Sequence, residues 1–189
     1  MSRGRGGTGL VVAVYSACYM LAAMPLGAIV DRMLRAPQHV AARRIKGLVL
    51  AGWLGLAASF AMLGPLSPLA PLAMLSGSMA VGGLASAAVV VPSLPELQLG
   101  LAVGDEKSRA VLCSIWNGLY SGGAAAGPFL TALVYAARGF MDTTLALLGF
   151  SLACATLLAL MLAARVAAAR RGPALAHEPL VGDPNAGVN

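Results

Sequence analysis

Long apolar runs are the feature that most restricts the fold of this chain. Its 189 residues are 59% hydrophobic and 11% charged, and the mean hydropathy is +0.81. A soluble domain carries roughly twice that share of charge. A helix of about 20 apolar residues crosses the hydrocarbon core of a bilayer. The sequence therefore predicts an all-α integral membrane protein whose partner is the lipid bilayer.

Five segments reach membrane-spanning length, and we expect each to form a transmembrane helix. The predicted spans are 10–30, 47–66, 70–92, 110–136 and 143–165. They form one five-helix bundle over residues 10–166, after a polar leader at 1–9 and before a polar tail at 167–189 that we expect to be disordered. The third span has small residues that suit close helix contact, namely Gly77, Gly82, Gly83 and Ser86.

The distribution of Lys and Arg predicts the orientation of the bundle. The connection between the first two spans is the most basic part of the chain, with Arg32, Arg35, Arg43, Arg44 and Lys46. Cytoplasmic loops are enriched in these residues, so we expect a multi-pass protein with an outside or lumenal N-terminus and a cytoplasmic C-terminus. A cleaved signal peptide is the alternative for the first span, because Arg3 and Arg5 precede an apolar run. That run continues to Val30, which favours a membrane span.

The stretch Cys113–Tyr135 within the fourth span sorts into faces when projected at about 100° per residue. Its polar face carries Cys113, Ser114, Asn117, Tyr120, Ser121 and Thr131. Two glycine pairs flank this face, Gly118 with Gly122 and Gly123 with Gly127, and such spacing lets neighbouring backbones approach closely. Pro128 should bend or loosen the helix. The pattern predicts a helix packed between two neighbours with polar groups facing a space between them. An ordinary bundle helix with satisfied hydroxyls is the alternative.

Polar and aromatic side chains on two spans form a candidate substrate cavity. Asn117, Tyr120 and Ser121 come from the fourth span, and Tyr15 and Tyr19 share a face of the first. An amide near mid-bilayer is costly unless it is bonded, and aromatic faces attract an organic ammonium. Two alternatives stay open: Asn117 bonds a neighbouring helix, and the two tyrosines serve packing or the membrane interface.

Other function classes find little support in the sequence. No acidic residue lies mid-span, and His39 and His177 lie in polar segments, so the constellation of an intramembrane enzyme is missing. The three cysteines have no metal-ligand or disulfide spacing, so we expect neither a metal nor a cofactor. Topology accounts for the net charge of +6, and we expect no nucleic-acid partner.

Three motifs resemble the major facilitator superfamily of transporters. Gly27-x-x-x-Asp31-Arg32-x-x-Arg35 resembles the family's loop signature G-x-x-x-D-R-x-G-R-R, with Leu34 at the second glycine. Gly123-Ala-Ala-Ala-Gly127-Pro128 resembles the core of its antiporter motif, with Thr131 and Ala132 at the closing glycine pair. Pro92-Ser-Leu-Pro95-Glu96, followed by Trp116-Asn117-Gly118, is similar to the vesicular amine and polyamine branch, solute carrier family 18.

The resemblance implies that the five spans are helices 8–12 of a twelve-helix transporter, a partial C-terminal bundle. In that family the site lies between two halves, so helix 7 and the N-terminal half are expected as the missing partner. The implied function is alternating-access transport of a small organic solute, an amine or polyamine moved in exchange for protons. Gly27, Asp31, Arg32 and Arg35 would then form a loop gating motif. A non-transporting five-helix membrane protein, either an assembly partner or a degenerate fragment, is the alternative.

Overall fold

Four long helices make up the computed structural model, which describes residues 4–64, 72–99, 101 and 106–175. The helices are α1 (Gly4–Leu34), α2 (Gln38–Leu63), α3 (Leu72–Gln98) and α4 (Glu106–Leu175). Each contains a stretch long and apolar enough to cross a membrane. The described part of the chain contains no strand. These features confirm an all-α fold and are consistent with a multi-pass membrane protein.

The prediction of five separate helices is wrong for the described residues. The predicted spans 110–136 and 143–165 both lie in α4, without a connecting loop. Only Gly139 departs from helical geometry inside α4, with φ 84° and ψ −177°. This backbone conformation is essentially restricted to glycine, because a β-carbon would clash with the neighbouring backbone. A single glycine therefore does what we expected a short loop to do, and it divides α4 into a first arm (106–138) and a second arm (140–175).

The second arm of α4 runs antiparallel to α2. Gly64, after the C-terminal end of α2, lies against the Thr144 side chain. Near the N-terminal end of α2, Gly47 lines a cleft together with Val166. Trp53, between these positions, makes an edge-to-face contact with Phe150, with 5.9 Å between ring centroids.

The first arm begins at the same end of the bundle at which the second arm finishes. The Gln98 amide donates a hydrogen bond of 3.3 Å to the Cys113 sulfur, which fixes the start of the first arm beside the C-terminus of α3. The Gln38 side chain donates to the Leu99 carbonyl, which brings the start of α2 to the same place. We call this end, where α1 and α3 finish and α2 and α4 start, the charged end. Gly139 lies at the other end, so α4 doubles back there.

Small residues bring α1, α2 and α3 into close contact. A β-carbon on Gly83 would lie 3.2 Å from the Cys18 β-carbon and closer still to the Tyr15 carbonyl oxygen. A β-carbon on Gly52 would lie 2.7 Å from a Val89 methyl group. Helices in lipid gain from such close approach because apolar side chains alone provide little drive to associate. The predicted small-residue contact of the third span is confirmed at Gly83 and at Gly82, where a β-carbon would lie 2.8 Å from the Ser59 hydroxyl oxygen. It is wrong for Gly77, where a β-carbon would meet no described atom within 4 Å.

Helix boundaries extend beyond the predicted spans. Only residues 35–37 separate α1 from α2, so Arg43, Arg44 and Lys46 lie in the first turns of a helix instead of a loop. Pro37 precedes the first turn of α2, where its missing N–H removes no helical hydrogen bond. The helix α4 continues to Leu175, into the segment predicted to be a disordered tail. Residues 1–3 of the predicted leader and 176–189 of the predicted tail lie outside the described residues.

Candidate functional site

The first arm of α4 stands apart from the rest of the bundle. A β-carbon added to any glycine of its two predicted packing pairs would meet no other atom within 4 Å, among the described residues: Gly118, Gly122, Gly123 and Gly127. Its apolar side is equally open, since Leu119 is 73% exposed. The backbone stays helical through Pro128. Among the described residues, α3 contacts this arm only near its start, and nothing packs against either glycine pair. A hinge at Pro128 stays a prediction.

Polar groups on the first arm fall into two classes. Ser114 and Thr131 donate to carbonyls of their own helix, to Ala110 at 3.0 Å and to Gly127 at 2.8 Å. Asn117 and Ser121 are exposed and make no hydrogen bond within the described part of the chain. An unpaired amide in hydrocarbon costs several kcal/mol. The Asn117 side of the arm therefore requires water, a solute or another polar surface.

Two aromatic rings fix the start of the first arm against α3. Trp116 and Tyr120 stack with centroids 5.3 Å apart and an interplanar angle of 5°. The Trp116 indole N–H donates to the Ser93 hydroxyl at 3.0 Å. Tyr120 remains 49% exposed. Trp116 was not among the predicted cavity residues, although its i,i+4 spacing from Tyr120 places the two rings on one face.

The structure brings one of the two predicted tyrosines of α1, Tyr19, near Tyr120 of the first arm. The Tyr15 hydroxyl shares a 2.7 Å hydrogen bond with the Ser86 hydroxyl of α3. This bond favours the packing alternative for Tyr15, whereas Tyr19 lies on the side of α1 towards the exposed Trp116–Tyr120 pair.

The predicted loop gating motif lies at the charged end. Gly27, Asp31 and Arg32 are in the last turns of α1, and Arg35 follows it directly. Asp31 makes no ion pair with any residue that the structure describes. The ion pair found at this end joins α2 to α3, with 2.8 Å between the Lys46 ammonium and a Glu96 carboxylate oxygen.

That Lys46–Glu96 pair is largely covered, with side chains 11% and 23% exposed. It holds the start of α2 against the end of α3. The sequence indicated Glu96 only as part of a family motif and Lys46 only as a topology signal. No local spacing connects the two, so only the packing of α2 on α3 reveals their contact.

The described residues hold no group of three His, Cys, Asp or Glu side chains arranged to bind a metal ion. Comparison with family models, with curated proteins and with solved structures finds no match. The candidate site is therefore defined by its own geometry: an open helix face with an unpartnered amide, beside an aromatic group formed by two helices.

Proposed function

We propose that this chain forms one lobe of a secondary-active transporter that moves a small organic solute by alternating access. The lobe corresponds to the C-terminal half of the major facilitator superfamily that the sequence motifs resemble. The unpartnered Asn117 amide supports this proposal most directly. A polar group exposed on a membrane helix marks a water-filled path or a site completed by another part of the transporter.

The aromatic rings beside Asn117 suggest the solute's chemical class. Tyr19 and Tyr120 present π-faces, which attract organic cations such as amines and polyamines. The described spans place no carboxylate at this site, so a proton-coupling acid would come from the second lobe. The orientation proposed for the bundle puts the charged end in the cytoplasm, since most of the Lys and Arg residues lie there.

A water-access experiment tests the proposal in the native membrane. Cys18, Cys113 and Cys154 are first replaced by alanine or serine, and Ser121→Cys and Leu119→Cys are then introduced separately. The two positions lie at similar depth on different sides of the first arm. A hydrophilic, membrane-impermeant methanethiosulfonate should label Cys at 121 and leave Cys at 119 unlabelled, because only the Asn117 side would face water.

Uptake measurements test the role of Asn117 itself. Proteoliposomes with an imposed pH gradient are screened with labelled organic amines, using the transporter with both lobes. Asn117→Ala should reduce uptake without reducing membrane expression. Unchanged uptake would remove Asn117 from the site, and an unlabelled position 121 would place this face against lipid or protein.

A non-transporting assembly partner is the second candidate. The open glycine pairs favour it, since such a surface also suits a tight helix–helix contact with another membrane protein. In that case position 121 would resist hydrophilic labelling, whereas a cross-link from position 121 to a second protein would form.

A further inference from the structure

Basic side chains line a cleft between the start of α2 and the end of the second arm of α4. The cleft has a volume of about 480 Å³, within the range of roughly 300–1,000 Å³ typical of small-ligand sites. His39, Arg43, Lys46 and Arg165 lie around it. Among the described residues that line this cleft or the one next to it, Glu96 is the single acid, and it is paired with Lys46. Arg43 and Arg165 are exposed and have no acidic partner among the described residues.

An apolar groove adjoins this basic cleft. The two share Arg43, Leu162 and Val166, and the groove is completed by small residues of α2 and α4: Gly47, Ala163 and Ala167. A β-carbon on Gly47 would meet nothing within 4 Å, so the groove is open at this point. The site therefore combines a positively charged mouth with an adjoining apolar groove on the same turns of α2 and α4.

We propose that this cleft binds one anionic phospholipid, with its phosphate between Arg43 and Arg165 and an acyl chain in the groove beside Gly47. Guanidinium groups form paired, charge-assisted hydrogen bonds with phosphate oxygens. The His39 ring N–H adds a further donor. The occupant is a lipid, and not a free phosphate, because the apolar groove lies next to the phosphate-binding mouth and shares Arg43 with it. Binding would hold the second arm of α4 against α2.

Lipid titration of the purified full chain in a neutral detergent tests the site. Native mass spectrometry would follow phosphatidylglycerol and phosphatidylcholine with identical acyl chains. We expect one tightly bound phosphatidylglycerol and clearly weaker phosphatidylcholine binding. Near a membrane surface, each basic residue contributes enough for about a fivefold change in affinity. Arg43→Gln and Arg165→Gln should each weaken phosphatidylglycerol binding about fivefold, and the double variant about 25-fold.

Arg44→Gln is the matched control, because Arg44 is the adjacent arginine, is exposed and does not line the cleft. It should change the affinity by less than about twofold. Equal weakening by Arg44→Gln, or equal binding of both lipids, would show a diffuse charge effect and overturn the proposal. Variants are compared only when their helix content and elution volume match those of the wild type.

The groove has its own test. Gly47→Leu should fill it and weaken phosphatidylglycerol binding, whereas Gly149→Leu should not, since Gly149 is also open but lies away from the groove. Glycerol phosphate, which has no acyl chain, should not displace the lipid at millimolar concentration. Displacement by glycerol phosphate would assign the mouth to a free phosphate and contradict the lipid proposal, as would unchanged binding in Gly47→Leu.

Discussion

Gly83→Ala should destabilise the bundle because it adds a methyl group where α3 touches the backbone of α1. The new β-carbon would lie 3.1 Å from the Tyr19 backbone nitrogen and 3.2 Å from the Cys18 β-carbon, with the Tyr15 carbonyl oxygen nearer still. Two of these three atoms belong to the backbone, so no side-chain rotation relieves the overlap and α1 must move. Overpacking of this kind costs about 1–3 kcal/mol.

The alanine also gains helix propensity, which offsets about 0.5–1 kcal/mol of that cost. The net loss of unfolding free energy for Gly83→Ala should therefore be about 0–2.5 kcal/mol, with a midpoint a little above 1 kcal/mol. Gly77→Ala is the matched control in the same helix, because a β-carbon there meets nothing within 4 Å. Gly77→Ala gains helix propensity without any steric overlap, so it should raise the free energy of unfolding by about 0.5–1 kcal/mol.

Reversible unfolding in mixed detergent micelles would measure the difference. The fluorescence of Trp53 and Trp116 reports the packing of α2 and α3 against the two arms of α4. The two variants should differ by about 2 kcal/mol, with opposite signs relative to the wild type. Equal effects of Gly83→Ala and Gly77→Ala would refute the close approach of α1 and α3 at Gly83.

Three further substitutions test other contacts of the bundle. Glu96→Gln should lower the free energy of unfolding by about 1–3 kcal/mol, because it leaves the covered Lys46 ammonium without its counter-charge. The double variant Lys46→Met/Glu96→Leu should recover most of this loss. An unchanged melting temperature in Glu96→Gln would contradict the ion pair. Gly139→Ala should cost about 1–3 kcal/mol, since alanine is strained in that backbone conformation; a melting curve identical to the wild type would argue against the reversal there. Tyr15→Phe should cost about 1 kcal/mol through the lost hydrogen bond to Ser86, and in the Ser86→Ala background it should cost less, as a double-mutant cycle of melting experiments would show.

Apolar length and small-residue spacing predicted the helical class and the contact at Gly83, but not which glycines are packed. Gly83 and Gly118 both lie in runs of small residues on apolar helices. Gly83 meets the backbone of α1, whereas Gly118 meets nothing within 4 Å. Residue spacing shows that a helix face consists of small residues. Which helix packs against that face depends on contacts between segments distant in sequence. The open face of the first arm could therefore be recognised only in three dimensions.

Charged contacts show the same limit. Spacing alone would pair Asp31 with Arg35, because side chains four residues apart on a helix are neighbours. The structure instead pairs Lys46 with Glu96 across two helices. Both side chains are largely covered there, so the attraction is less screened by water than it would be for exposed residues at the end of α1. The gating role suggested for Asp31 stays a prediction.

The two arms of α4 differ in how the hydrogen bonds of their polar groups are satisfied. This difference identifies the Asn117 face of the first arm as the surface whose surroundings distinguish the two proposed functions. In the second arm, Thr143 and Ser151 donate to carbonyls of their own helix at 2.7 Å and 2.9 Å. These hydroxyls are buried and need no external partner. Asn117 of the first arm is exposed without a hydrogen bond in the described chain, and its amide carries both donors and an acceptor. Water and solute would satisfy these groups in a transporter, and a protein surface would satisfy them in an assembly partner. Because the two functions put different surroundings against the same face, the accessibility of position 121 to water separates them.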